Sequence, residues 1–182
     1  KVRPGGIVMF ISSTGTMDAE GNARLRKYLA KKAELVGAFR LPSSAFKKIA
    51  NTEVTTDVII LRKLHETESA SEVEWVEVVD SGIEGKTGAR ISINEYYRNH
   101  PEYLLGDLSD DKLHPGRAAL TPDGRDIEDV IQEVVESLPT NVFGPSNALN
   151  EPAPLEMLVP ALGDVKPGAF VVNGNAVFCN EE

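Results

Sequence analysis

An α/β fold is the class this sequence predicts, with its last strand antiparallel and an acidic mixed α/β extension behind it. Three observations carry that expectation. Ile7–Ser12, Leu35–Leu41 and Val54–Leu61 are apolar runs of strand length, as expected for strands buried on both faces of a sheet. A helix-like cationic stretch separates the first two runs. The second and third are joined by a loop too short for a parallel crossover, so those two strands should pair antiparallel.

In chain order, Lys1–Gly6 is a turn, because Pro4 and the Gly5-Gly6 pair do not fit inside a regular element. Ile7–Ser12 is the first strand. Ser13–Asp18 is a polar loop at its C-terminal end, where open α/β sheets place ligands. Asp18 is placed to cap a helix running to about Ala33, with Glu20 in its first turn. Leu25, Tyr28 and Leu29 give that helix an inner stripe, and Arg24, Lys27 and Lys31 line another face. Ile7–Leu41 then forms a right-handed βαβ unit.

The loop between the second and third strands carries Phe46 beside Lys47 and Lys48, with Pro42 closing one side. Two readings compete. Phe46 folds back as a lid on the sheet, the usual fate of a large apolar side chain. Or it is a stacking platform for a flat ligand whose phosphates the lysines hold. Asn51, Thr52, Thr55 and Thr56 are polar candidates entering the third strand.

Composition shifts after Lys63. His65–Ser71 is a polar linker, and Val73–Val79 reads as a strand or extended arm with Val73, Trp75 and one of Val78 and Val79 inward, Trp75 being read as a core residue over an interaction anchor. Ser81–Ala89 is Gly-rich; its G-I-E-G-K-T-G lacks the spacing of a phosphate loop. Ile93–Arg98 starts a short helix stopping near His100-Pro101, and Gly106–Gly124 is turn-rich. Asp123 or Asp126 caps a helix through Leu138, with Ile127, Val130, Ile131, Val134, Val135 and Leu138 on its inner stripe. Its outer face, Glu128, Asp129, Glu133 and Glu136, is a solvated face rather than an acid–base pair. Residues 139–160 hold five prolines, which marks a linker or wrapping segment. The tail V-V-N-G-N-A-V-F signals a hairpin around Asn173-Gly174. The expected division is 1–63, then an acidic extension 64–138 with its helix at 125–138, then 139–182.

The 182 residues are 41% hydrophobic, enough for a core. Lys1 in place of an initiating methionine fits a piece of a longer protein. No stretch reads as a secretory signal or a membrane span, so cytoplasm is the default. One cysteine excludes an internal disulfide, and the three histidines are scattered, with no metal-ligand spacing. Net charge is −9, but residues 1–63 hold twelve Lys and Arg against five Asp and Glu, leaving seven against twenty-three behind them. Such asymmetry points to a basic binding region joined to an acidic one.

R-P-G-G-I-V-M-F-I-S at Arg3–Ser12, L-R-K-Y-L-A at Leu25–Ala30, and V-G-A-F-R-L-P-S-S-A-F followed by T-E-V-T-T-D-V-I-I-L together resemble the C-terminal half of an adenine-N6 DNA methyltransferase domain. The likeness is to modification subunits of type I restriction systems and to phage- or plasmid-borne methylase–helicase proteins. I-N-E-Y-Y-R-N-H-P-E-Y-L-L-G is similar to the latter group. The resemblance implies the rear part of a class I, Rossmann-like sheet whose last strand inserts antiparallel between the two before it. It implies that Phe46 stacks on an extruded adenine, and on that reading Lys47, Lys48 and Arg40 are the candidates for DNA phosphates. The family's N-P-P-[FY] tetrapeptide and its F-x-G-x-G loop for S-adenosylmethionine are absent from this sequence. No catalytic or cofactor-binding residue is therefore assigned, and S-adenosylmethionine and DNA are expectations for a parent protein only.

The leading expectation is a fragment of an S-adenosylmethionine-dependent adenine-N6 DNA methyltransferase, inactive by itself. The alternative is a non-catalytic interaction module docking on a helicase or restriction-system partner. A general nucleotide-binding α/β protein ranks below both, because no Gly-rich phosphate fingerprint is present. Ile7–Ile11 holds no charge, proline or glycine, and an exposed apolar edge recruits other strands. Its edge is expected to be covered by a second copy in a homodimer, by Val73–Val79 or by the terminal hairpin.

Overall fold

The computed structural model describes residues 2–70, 73–85, 88, 90–112, 114–140, 142, 170–173 and 176–179. Strands β1 (Ile7–Ser13), β2 (Ala33–Leu41) and β3 (Thr56–Lys63) form a sheet in the order β1-β3-β2, with β3 antiparallel to both neighbours. Residues opposed across antiparallel strands share a face. One face of the sheet therefore presents Phe10, Ile59 and Ala38, and the other Ile11, Val58 and Phe39.

The single helix expected from Asp18 to Ala33 is three pieces: α1 (Gly15–Asp18), a 3-10 turn at Glu20–Asn22, and α2 (Ala23–Ala30). Asp18 ends α1 instead of capping α2, because Arg40 and the Asn94 amide claim its carboxylate. The inward face of α2 carries Arg26 and Ala30, one helical turn apart, while Leu25 and Tyr28 are exposed. The expected stripe is thus rotated, and Leu29 alone of its three members packs against the core. Arg26 is buried with its charge met by hydrogen bonds, since it donates to the carbonyls of Thr16 and Ala19 around the break in the helix and to that of Val76.

A one-turn helix, α3 (Lys47–Ala50), lies in the loop before β3. After β3 come β4 (Val78–Glu84), β5 (Arg90–Asn94), α4 (Glu95–Asn99), a 3-10 turn at Pro101–Tyr103, β6 (Asp107–Asp110), β7 (Ala118–Thr121) and α5 (Ile127–Ser137). The expected strand at Val73 starts instead at Val78 and runs on through Glu84, into the Gly-rich stretch. Trp75 and Val76 precede it as buried core residues. The β6–β7 hairpin falls in the stretch read as turn-rich, where each strand is only four residues long. The Asn94 and Asp126 side chains accept the Tyr96 and Glu128 amides and so fix the starts of α4 and α5.

No boundary falls at Lys63. Residues Lys1–Gly144 are one compact unit, and Ala38 and Ile59 of the sheet share a core with Trp75, Ile91, Ile93 and Tyr97. On the opposite face, Val130 and Val134 of α5 cover Phe39 and Val58. Burial of each such large side chain is worth about 1.5–3 kcal/mol. The chain crosses between the two faces past the outer edge of β2. There the Leu105 amide donates to the Arg40 carbonyl and the Ala38 amide to the Tyr96 hydroxyl.

Pro145–Glu182 is a second unit. Its described part is an antiparallel pair, β8 (Phe170–Asn173) and β9 (Ala176–Cys179), with Asn173 opposite Ala176, the hairpin the Asn-Gly step predicts. Most of the Pro-rich stretch lies outside the described residues.

Candidate functional site

Two places on the first unit merit attention: the loop cluster at the C-terminal ends of β1 and β2, and the outer edge of β1. At the loop cluster Phe46 is half-buried and packs against the core of Phe39, Val58 and Val130. That is the lid, not an open stacking platform. The apolar side chain that projects from the loop is Ile49, 86% exposed. Its exposure was not legible, because residue type does not say which apolar side chain of the loop meets the core: Phe46 precedes α3 as its N-cap and packs inward, while Ile49 within α3 is exposed. Lys47 is exposed and engaged by Glu53 at 2.5 Å, a bond that holds its pKa above the ordinary lysine value. Lys48 is exposed; Asn51 ends α3 in the left-handed conformation at φ 48°, and Thr52 is half-buried.

Arg40 is placed where no phosphate reaches it. Its side chain is wholly buried, donating to both oxygens of Asp57 at 2.7 and 3.0 Å and to Asp18 at 2.7 Å, over the ring of Tyr97. Burial by itself lowers a guanidinium pKa; the Asp57 and Asp18 carboxylates outweigh it and hold Arg40 well above its usual value. The expectation that Arg40 lies near a phosphate is therefore corrected. One cation on β2 with carboxylates from β3 and α1 locks three elements together, and Asn94 extends the lock by donating its backbone amide to Asp18.

Beside this lock lies a cleft of about 300 Å³ between the end of β1, the start of β3 and the β6–β7 hairpin. Ser13, Thr14, Glu53, Thr55, Lys112 and Arg117 contribute to its lining. Thr55 is committed to structure, since its hydroxyl accepts the Leu120 amide at 3.0 Å. Acids and cations alternate around this cleft, so it carries no field of one sign. Among the described residues no group of His, Cys, Asp and Glu could hold a metal ion. No helix there is long and apolar enough to cross a membrane.

The outer edge of β1 differs from that of β2. Every second amide and carbonyl of an edge strand points away from its partner, and no described residue pairs with those of β1. Val73–Val79 does not cover this edge, because Val78 and Val79 pair with Asn94 and Ile93. Met9 and Ile11 lie opposite Ile60 and Val58, on the face covered by α5, yet they are 68% and 57% exposed. The covering layer stops one strand short.

The chain is similar to Defense against restriction protein B of Escherichia phage P1, 38% identical over 77 residues. Those residues are 42% of this chain and 3% of that protein, so the chain spans a small fraction of the relative's length. No family model and no solved structure matches the chain. The likeness overturns the expectation of a methyltransferase fragment. The protein found is named for defence against restriction and not for methyl transfer, which accords with the alternative, a module linked to a restriction system.

Proposed function

We propose that this chain is a non-catalytic interaction module of a restriction-associated assembly, docking on a restriction-system or helicase partner. The observation that carries this reading is the outer edge of β1, an uncharged apolar strand that pairs with β3 on one side and with no described residue on the other, while Met9 and Ile11 are exposed. A strand of this composition at a sheet edge is a template for another chain. The likeness to the phage protein supplies the restriction context.

The test is a plating assay on matched restricting and non-restricting hosts that express the chain. Wild-type chain is expected to change phage plating on the restricting host only, and a Met9→Lys, Ile11→Lys double variant to abolish that change. Identical plating with and without the chain refutes the restriction link.

A further inference from the structure

We infer that the occupant of the β1 edge is a strand-plus-helix segment of a restriction-associated polypeptide, whose strand pairs with β1 and whose helix covers Met9 and Ile11. This rests on the interaction-module reading and specifies its partner. Two things are incomplete at this edge. The outward amides and carbonyls of Ile7–Ser13 have no partner among the described residues. The apolar layer that α5 builds over Phe39 and Val58 does not extend over Met9 and Ile11.

A second copy of this chain repairs only the first defect. Two β1 strands pairing antiparallel about a twofold axis keep equivalent faces of both sheets on the same side. Centred on Phe10, that pairing sets Met9 beside Ile11 of the other copy and Ile11 beside its Met9. Four apolar side chains would then share one face with no layer above them. A short extended peptide has the same shortcoming. An occupant that supplies a strand and an amphipathic helix repairs both defects, its helix covering Met9 and Ile11 as α5 covers Phe39 and Val58. Its strand must be uncharged on the side facing Met9 and Ile11, since an unpaired charge there is costly to desolvate. The phage relative offers a source, because nearly all of its length lies outside the matched stretch.

The experiment uses the 182-residue chain with overlapping segments of the phage relative from outside its matched stretch, each about 150 residues, the usual domain size. Binding is measured by calorimetry, the outward β1 amides by hydrogen exchange, and self-association by sedimentation velocity. One segment is expected to bind one-to-one and slow exchange at those amides. Met9→Lys with Ile11→Lys should weaken binding roughly tenfold or more, as for charges placed at the centre of an apolar contact. Both side chains are largely exposed, so the variant's unchanged melting temperature verifies that it folds. A discrete dimer that the same variant dissociates overturns the inference in favour of a second copy. Absence of binding by every segment also overturns it, as does binding unaffected by the variant. These failures leave the module reading to the plating assay, whose outcome is independent of which segment binds.

Discussion

Arg40 shows how much a single buried charge organises here. Its guanidinium meets Asp57 on both oxygens and Asp18 on one, and all three groups are tied to separate elements. Removing one partner of a buried pair leaves the other uncompensated, at a cost of about 3–5 kcal/mol. Arg40→Met is therefore expected to lower stability by that amount in denaturant titration. Restoration of much of the loss by a further Asp57→Leu substitution would show that the penalty lies in the stranded carboxylate. Tyr96 and Tyr97 supply a second residue-level prediction. Burial pushes both phenols above their ordinary value. A folded pKa above the unfolded one gives stability that is complete below about pH 10, the unfolded tyrosine value, and is lost as pH rises beyond it. Phenolate absorbance from these two rings should thus appear only with alkaline unfolding. Its gradual growth while the fold stays intact, as monitored by circular dichroism, would contradict their burial.

Among the elements, the loop carrying Phe46 and the hairpin β6–β7 are fitted to each other. A Cβ placed on Gly106 would lie 2.5 Å from the Thr121 carbonyl oxygen and 3.3 Å from Pro42. Backbone cannot retreat as a side chain does, so Gly106→Ala is expected to cost about 1–3 kcal/mol, the usual range for overpacking. An unchanged thermal midpoint would show that the hairpin shifts freely. Phe46→Ala should destabilise as well, by less than the ~3–5 kcal/mol of a fully buried phenylalanine, because the ring is half-buried against the core beneath α5. At the start of α5, Asp126→Ala removes the acceptor for the Glu128 amide; the expected loss is about 0.5–2 kcal/mol, measured by chemical denaturation.

For the whole molecule, the shared core decides which pieces fold. Residues 1–63 end where the sheet still lacks Trp75, Ile91, Ile93 and Tyr97 on one face and Val130 and Val134 on the other. That piece is expected to lack a cooperative melt, whereas residues 1–144, a compact unit, should unfold in one transition by calorimetry. A cooperative transition in the shorter piece would show the sheet to be self-sufficient. The three apolar runs were legible as strands because continuous apolar sequence has few other uses. The antiparallel β2–β3 pairing was legible too, since a short loop allows no crossover. The cap of α5 and the terminal hairpin were readable from local chemistry at Asp126 and Asn173, whereas the cap expected at Asp18 was not made. Long-range partners were not. Leu25 and Tyr28 have the spacing of a buried stripe, but the inner face of α2 is set by Arg26, whose carbonyl partners lie at Thr16, Ala19 and Val76. Phe46 and Arg40 looked like ligand contacts because residue type records chemistry and not direction. Only the tertiary structure turned one onto the core and the other into an ion-pair lock. The sequence by itself determined that Ile7–Ile11 would be an uncharged apolar strand. That its outer edge meets no described residue, with Met9 and Ile11 exposed, depended on where α5 and the segment passing β2 came to lie, and those positions follow from contacts between residues far apart in the chain.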